Sequence, residues 1–201
     1  MFLLVRASRD LEGSATATRD ALVAGGMPAV LQEATASPRT QDEQWRHLVT
    51  RLDAGTGLDQ GGLSWLGEGA AVASCDLQVP FADESGGALV LVDEIAAVVG
   101  ATGGLLFVAA DDLVRLCGDG LSAADRTELA AQWAQVHGLA LVLVLSDTDV
   151  VAVKGDGRTQ DQAGQWTVDD PVGRGQTVAR LLAAYVRCPA DLAQVLPAVG
   201  A

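Results

Sequence analysis

The chain has 201 residues and a mass of 20.6 kDa, and with 49% hydrophobic and only 19% charged residues it is a folding chain with a sizeable core, not a disordered one. Its 13 basic and 26 acidic residues give a net charge of −13 and a pI near 4.3, which argues against nucleic acid and anionic membrane surfaces as partners. Cys75, Cys117 and Cys188 stand apart without a CxxC pair, so neither a zinc site nor a disulfide framework is expected, and no metal or cofactor. No apolar run approaches the roughly 18 residues that span a bilayer, and the apolar part of residues 1–10 is too short for a signal peptide, so a cytoplasmic location without membrane insertion is expected.

Residues 2–5 form a short apolar run followed by Arg6 and a polar turn, and residues 15–24 end in Gly25 and Gly26. This reads as strand, helix and glycine stop. A second apolar run at 28–31 completes a β–α–β unit, whose crossover is expected to be right-handed. Thr40 and Glu43 fit a capping box, and Trp45, Leu48, Val49 and Leu52 follow at i, i+3, i+4 and i+7, so the spacing predicts a helix that stops at Gly55. His47 falls off that stripe and is expected to face solvent. Residues 55–69 are glycine-dense and read as a loop or hairpin with a short strand at 63–66. No lysine follows these glycines, so the phosphate loop GxxxxGK[ST] is absent. Residues 70–79 alternate apolar and polar toward their end and predict a strand near a sheet edge, stopped by Pro80.

The stretch 88–112 carries two apolar runs, 88–92 and 105–110, each followed by acids and separated by a small-residue segment of helix length. Both read as buried parallel strands, which would place Asp93, Glu94, Asp111 and Asp112 in the ligand crevice at the carboxyl ends. Asp111 then opens a short helix to Cys117. Ser122 and Asp125 form a second capping box, and Leu129, Trp133 and Val136 give the stripe of a helix closed by His137 and Gly138. His137 there complements the helix dipole. Residues 139–145 predict a third buried strand and 150–153 its hairpin partner, with 155–164 as polar loop and 166–168 as a last short strand. Val178, Leu181, Leu182, Tyr185 and Val186 mark the clearest amphipathic helix, and Pro189 opens a final one with Leu192, Val195 and Leu196 inside.

Three stretches carry chemistry in other proteins. The run ALVLVDE, ending in Asp93 and Glu94, resembles the Walker B strand of RecA-like P-loop ATPases. With no Walker A, that resemblance implies a relative that has lost nucleotide hydrolysis. The run DPVGRGQT at 170–177, before an amphipathic helix, is similar to the anion-hole motif of ribokinase-like sugar kinases. It implies a phosphate held at Gly173 and Gly175, and it puts Gln176, which cannot take a proton, where that family has its catalytic aspartate. Asp147 and Asp149, with Asp156 in KGDG, resemble pieces of the haloacid dehalogenase-like centre, but their order and separation fit two polar turns.

The expected fold is one α/β domain over 1–201: three layers, with a mostly parallel sheet of about five to seven strands covered by helices, Rossmann-like or RecA-like. Leu89, Leu91, Leu106, Val108, Leu141, Leu143, Leu181 and Leu182 are its predicted core. With no complete catalytic constellation and a mean hydropathy of +0.26, the expected function is a pseudoenzyme: a degenerate NTPase that binds another protein in regulation or assembly. The alternative is a small-molecule or nucleotide-phosphate-binding enzyme catalysing ribokinase-like or ATPase-like phosphoryl transfer. Its candidate ligand residues are Asp93, Glu94, Asp111, Gly173 and Gly175, and no catalytic residue is assigned.

Overall fold

The computed structural model describes residues 2–7, 12–27, 29–33, 45–49, 70–75, 87–117, 120–166 and 171–187. In chain order its elements are β1 (Phe2–Ala7), α1 (Glu12–Ala24), β2 (Ala29–Glu33), β3 (Trp45–Val49), β4 (Ala70–Cys75), α2 (Gly87–Gly100) and β5 (Leu105–Ala109). Then come α3 (Ala110–Cys117), α4 (Ala123–His137), β6 (Leu141–Leu145), β7 (Asp149–Val153), β8 (Thr159–Ala163) and α5 (Pro171–Arg187).

The strands form one eight-stranded sheet in the order β2-β1-β3-β4-β5-β6-β7-β8. The six from β2 to β6 run parallel, and β7 and β8 return antiparallel as a hairpin. From β1 the chain steps to β2 on one side, while β3 to β6 grow toward the other. Right-handed crossovers in opposite directions put their helices on opposite faces. Leu22 of α1 and Val178, Leu181 and Leu182 of α5 accordingly pack on Leu105, Phe107, Leu141 and Leu143. Ile95 of α2, Leu113 of α3 and Trp133 of α4 pack on Leu106, Val108, Val142 and Val144 from behind. The result is the expected three-layer α/β fold, and every residue of β5 and β6 is buried. Among the described residues no helix is long and apolar enough to cross a membrane.

Five local expectations change. Residues 88–92 belong to helix α2, because Val92, Ile95, Ala96 and Val99 recur at i, i+3, i+4 and i+7 and are all buried. A short apolar run fits a buried helix as well as a buried strand, and here the run and the segment after it form one helix. Residues 45–49 form strand β3, paired with both β1 and β4, so tertiary pairing overrides a spacing that also fits a helix. β4 thereby lies inside the sheet instead of at its edge. Residues 159–163 form the edge strand β8, where TQDQA needs to bury only one face, and its residues alternate between exposed and half-buried. Trp166 is outside any strand, its backbone N–H donates to the Asp147 carbonyl at 3.0 Å, and residues 167–168 lie outside the described residues.

Among the expected core residues Leu106, Val108, Leu141, Leu143, Leu181 and Leu182 are buried. The side chains of Leu89 and Leu91 lie outside the described residues, as do the capping pair Thr40 and Glu43, the strand at 63–66 and the final helix from Pro189.

Local signals hold α4, whose expected buried stripe of Leu129, Trp133 and Val136 is corrected at Val136, which is exposed, the buried face being Ala130, Trp133 and Ala134. The Asp125 N–H donates to Ser122 Oγ at 3.2 Å and the Ser122 N–H to Asp125 Oδ2 at 2.9 Å, the reciprocal capping box. Gly138 closes the helix at φ 73°, a left-handed conformation open to glycine, with its N–H on the Ala134 carbonyl. The Ser122 hydrogen bonds lower the Asp125 pKa below its ordinary 3.8. A depressed carboxyl stabilises the folded state above the unfolded value and loses that contribution as pH falls through the folded one. Urea unfolding at several pH values is therefore expected to show Asp125→Asn less stable than the parent at pH 6, with the difference shrinking as pH falls below the ordinary carboxyl value of 3.8.

At the other end of this pair of helices, the last residue of α2, Gly100, lies against α4. A Cβ there would overlap the His137 carbonyl. Both neighbours are backbone, so neither can swing aside. Gly100→Ala is expected to cost about 1–3 kcal/mol in urea unfolding, the usual range for overpacking, and a neutral result would contradict this packing.

Candidate functional site

The carboxyl end of β5 passes straight into α3, with Asp111 and Asp112 in the first helical turn, where acids complement the helix dipole. Ala110 and Leu113 are buried under this turn. Asp111 points outward and is exposed, whereas Asp112 is only 1% exposed. Its Oδ2 accepts a hydrogen bond from Arg174 Nη1 at 2.9 Å, and Arg174 itself is 6% exposed.

Arg174 lies in the first turns of α5. Sequence reasoning expects its flanking glycines to form a turn before the helix. The helix instead begins at Pro171, a residue suited to the first helical position, so Gly173 and Gly175 lie within it and both are buried. The pair with Asp112 brings this end of α5 to the carboxyl edge of the sheet. Val172 and Gln176, one turn apart, are exposed beside it. Gln176 also lines a groove of about 730 Å³ between α1 and α5, together with Thr16, Asp20 and Arg180.

The turn from β6 to β7 lies at the same edge. The Ser146 hydroxyl hydrogen-bonds the Asp149 carboxylate and accepts the Asp149 N–H at 3.0 Å, while the Ser146 N–H donates to the Asp149 carbonyl at 2.9 Å. Asp149 thus closes a polar turn. Asp156, in the hairpin loop beyond β7, pairs with Arg158 at the opposite end of the strand. Among the described residues no group of three or more His, Cys, Asp or Glu could hold a metal ion.

Of the expected ligand residues, the fold brings Asp111, Gly173 and Gly175 to one edge. Asp93 and Glu94 lie on α2, off the strand ends. Asp93 is 54% exposed at its side chain and meets His137 Nε2 at 2.8 Å. His137 closes α4 just before the amino end of β6, so Asp93 faces the opposite end of the sheet from Gly173. The partnership of Asp112 with Arg174 escaped sequence reasoning, since nothing local marks an arginine between two glycines as buried.

No protein-family model matches the sequence, and no curated protein does. Solved structures do. A phosphomethylpyrimidine kinase from Clostridium difficile 630 superposes with a TM-score of 0.63 at 8% identity, over 99% of this chain and 96% of that one. The fold is that of the ribokinase-like kinases. A pyrophosphate-dependent kinase in the ribokinase family, complexed with a pyrophosphate analogue and myo-inositol, matches with a TM-score of 0.55 at 16% identity, over 98% of this chain and 77% of that one. Pyridoxal kinase from Trypanosoma brucei gives 0.54 at 14% identity, over 99% and 87%.

The ribokinase-like fold corrects two expectations. The RecA-like reading fails because the run taken as its Walker B strand is helix α2 and the structures sharing the fold belong elsewhere. The picture of a degenerate NTPase, a pseudoenzyme serving only regulation or assembly, falls with it. The structural neighbours are kinases.

Proposed function

We propose that this chain is a small-molecule kinase, transferring a phosphoryl group from a nucleotide or pyrophosphate donor to a hydroxyl of a small metabolite. The observation that carries the reading is the start of α5, with Gly173 and Gly175, at the carboxyl edge of a parallel sheet of ribokinase-like fold. A helix amino terminus favours anions through its dipole. Asp111 stands exposed at the same edge, where it can hydrogen-bond an acceptor hydroxyl.

In the reaction the acceptor oxygen forms a bond to phosphorus, the bond to the donor's leaving phosphate breaks, and the hydroxyl proton passes to water. Phosphoryl transfer runs through a loose transition state and depends chiefly on positioning and electrostatic stabilisation, so a weak or absent base slows it without abolishing it. Gln176 can orient a hydroxyl but cannot deprotonate it. A reducing, cytoplasmic compartment belongs to the same proposal and is supported by the free, exposed thiol of Cys117.

The neighbours suggest the acceptors to try: a phosphomethylpyrimidine, pyridoxal and myo-inositol, each with ATP or pyrophosphate and magnesium, followed by phosphorus NMR. Turnover of at least one pair is expected. A donor present at a hundred times its dissociation constant should also add about 2.7 kcal/mol of stability, seen as a raised melting temperature. No turnover and no thermal shift with any donor would refute the proposal. If position 176 is where a base is missing, Gln176→Asp is expected to raise kcat roughly tenfold or more, with a rate that climbs as the new carboxyl ionises. An unchanged kcat would place the proton acceptor elsewhere.

A further inference from the structure

The Asp112–Arg174 pair has a placement that packing alone does not require. Leu113 and Ala110 put α3 in the helix layer behind the sheet, and Val178, Leu181 and Leu182 put α5 in the layer in front. The hydrogen bond from Arg174 Nη1 to Asp112 Oδ2, 2.9 Å, therefore passes over the carboxyl edge of the sheet and joins the two layers there. Both ends are buried, with side chains 7% and 2% exposed. Removing two charges from water is costly, and an apolar pair of similar volume is commonly as stable, so stability alone is a weak reason for an ion pair here.

Arg174 is also the only residue from 173 to 175 with a side chain. Gly173 and Gly175 have nothing beyond backbone with which to fix their own turn, and the hydrogen bond from one nitrogen of the planar guanidinium to one carboxylate oxygen has a preferred direction as well as a distance. We infer that Asp112 and Arg174 are positioning residues: their pair clasps the first turns of α5 to the β5–α3 junction and thereby sets the aim of the Gly173–Gly175 backbone on the transferred phosphate. The inference rests on the kinase reading above. It assigns a role to two residues that touch no substrate themselves.

The test separates aim from stability. Asp112→Leu combined with Arg174→Met removes both charges together, so no lone buried charge remains and the net charge of the site is unchanged. Arg174→Lys keeps the charge and loses the planar guanidinium that gives the hydrogen bond its direction. Calorimetry with inorganic pyrophosphate and with magnesium ATP gives affinity, steady-state kinetics give kcat and KM, and thermal melting reports folding.

The double variant is expected to melt within a few degrees of the parent, to bind pyrophosphate at least tenfold more weakly, and to lose at least tenfold in kcat with the acceptor KM unchanged. Arg174→Lys is expected to fall between the two, and should the double variant not fold, this variant decides by a threefold or greater loss of pyrophosphate affinity at an unchanged melting temperature. Folded variants with parental affinity and kcat would overturn the inference and leave the pair a structural contact. A parent that binds neither pyrophosphate nor ATP would overturn the kinase reading instead, and with it the ground for any positioning role.

Discussion

Burial of β5 and β6 on both faces is the constraint from which the other features follow. A strand covered on both sides needs two helix layers, and every residue from Leu105 to Ala109 and from Leu141 to Leu145 is apolar and buried. Polar groups are thereby driven to the strand ends. Asp111, Asp112, Ser146 and Asp149 gather at the carboxyl edge, and the Lys154–Arg158 hairpin at the other. The direction of the parallel strands then decides which edge receives helix amino termini and can bind an anion.

At that edge the buried pair of Asp112 and Arg174 joins the two layers. The two core clusters are apolar, and contacts of that kind tolerate small sliding movements because they have no preferred direction. A carboxylate and a guanidinium have a preferred direction. Asp112 and Arg174 thus supply orientation at the point where the ribokinase-like fold places Gly173 and Gly175 at the strand ends. The pair of Asp93 and His137 at the opposite edge is open on one side, with the Asp93 side chain 54% exposed, and a pair of that kind at the surface contributes little.

Much of this arrangement is legible from the residues. The Ser122 and Asp125 box, the His137–Gly138 stop and the hairpin partner of β6 are local signals, and each stands where the spacing puts it. The burial of Leu106, Val108, Leu141 and Leu143 follows from continuous apolar runs. The run at 88–92 misleads because apolar residues in succession fit a helix packed on a sheet as well as a strand within one, and only the later Ile95, Ala96 and Val99 settle the period. Trp45 to Val49 misleads in the other direction, since its partners β1 and β4 are distant in sequence. Asp112 and Arg174 are 62 residues apart, and no local pattern could join them. Gly173 and Gly175 were recognisable through a motif expected to precede the helix, and the helix starts at Pro171 and includes them.

The central claim is that an anion binds at the start of α5 and nowhere near α2. Amide chemical shifts of the labelled protein, followed by nuclear magnetic resonance during titration with magnesium pyrophosphate, test it most directly. The account predicts saturable shifts at Gly173, Arg174, Gly175 and Asp111, with Asp93 and His137 unmoved. Shifts confined to Asp93 and His137, or spread weakly over the surface without saturation, would contradict it.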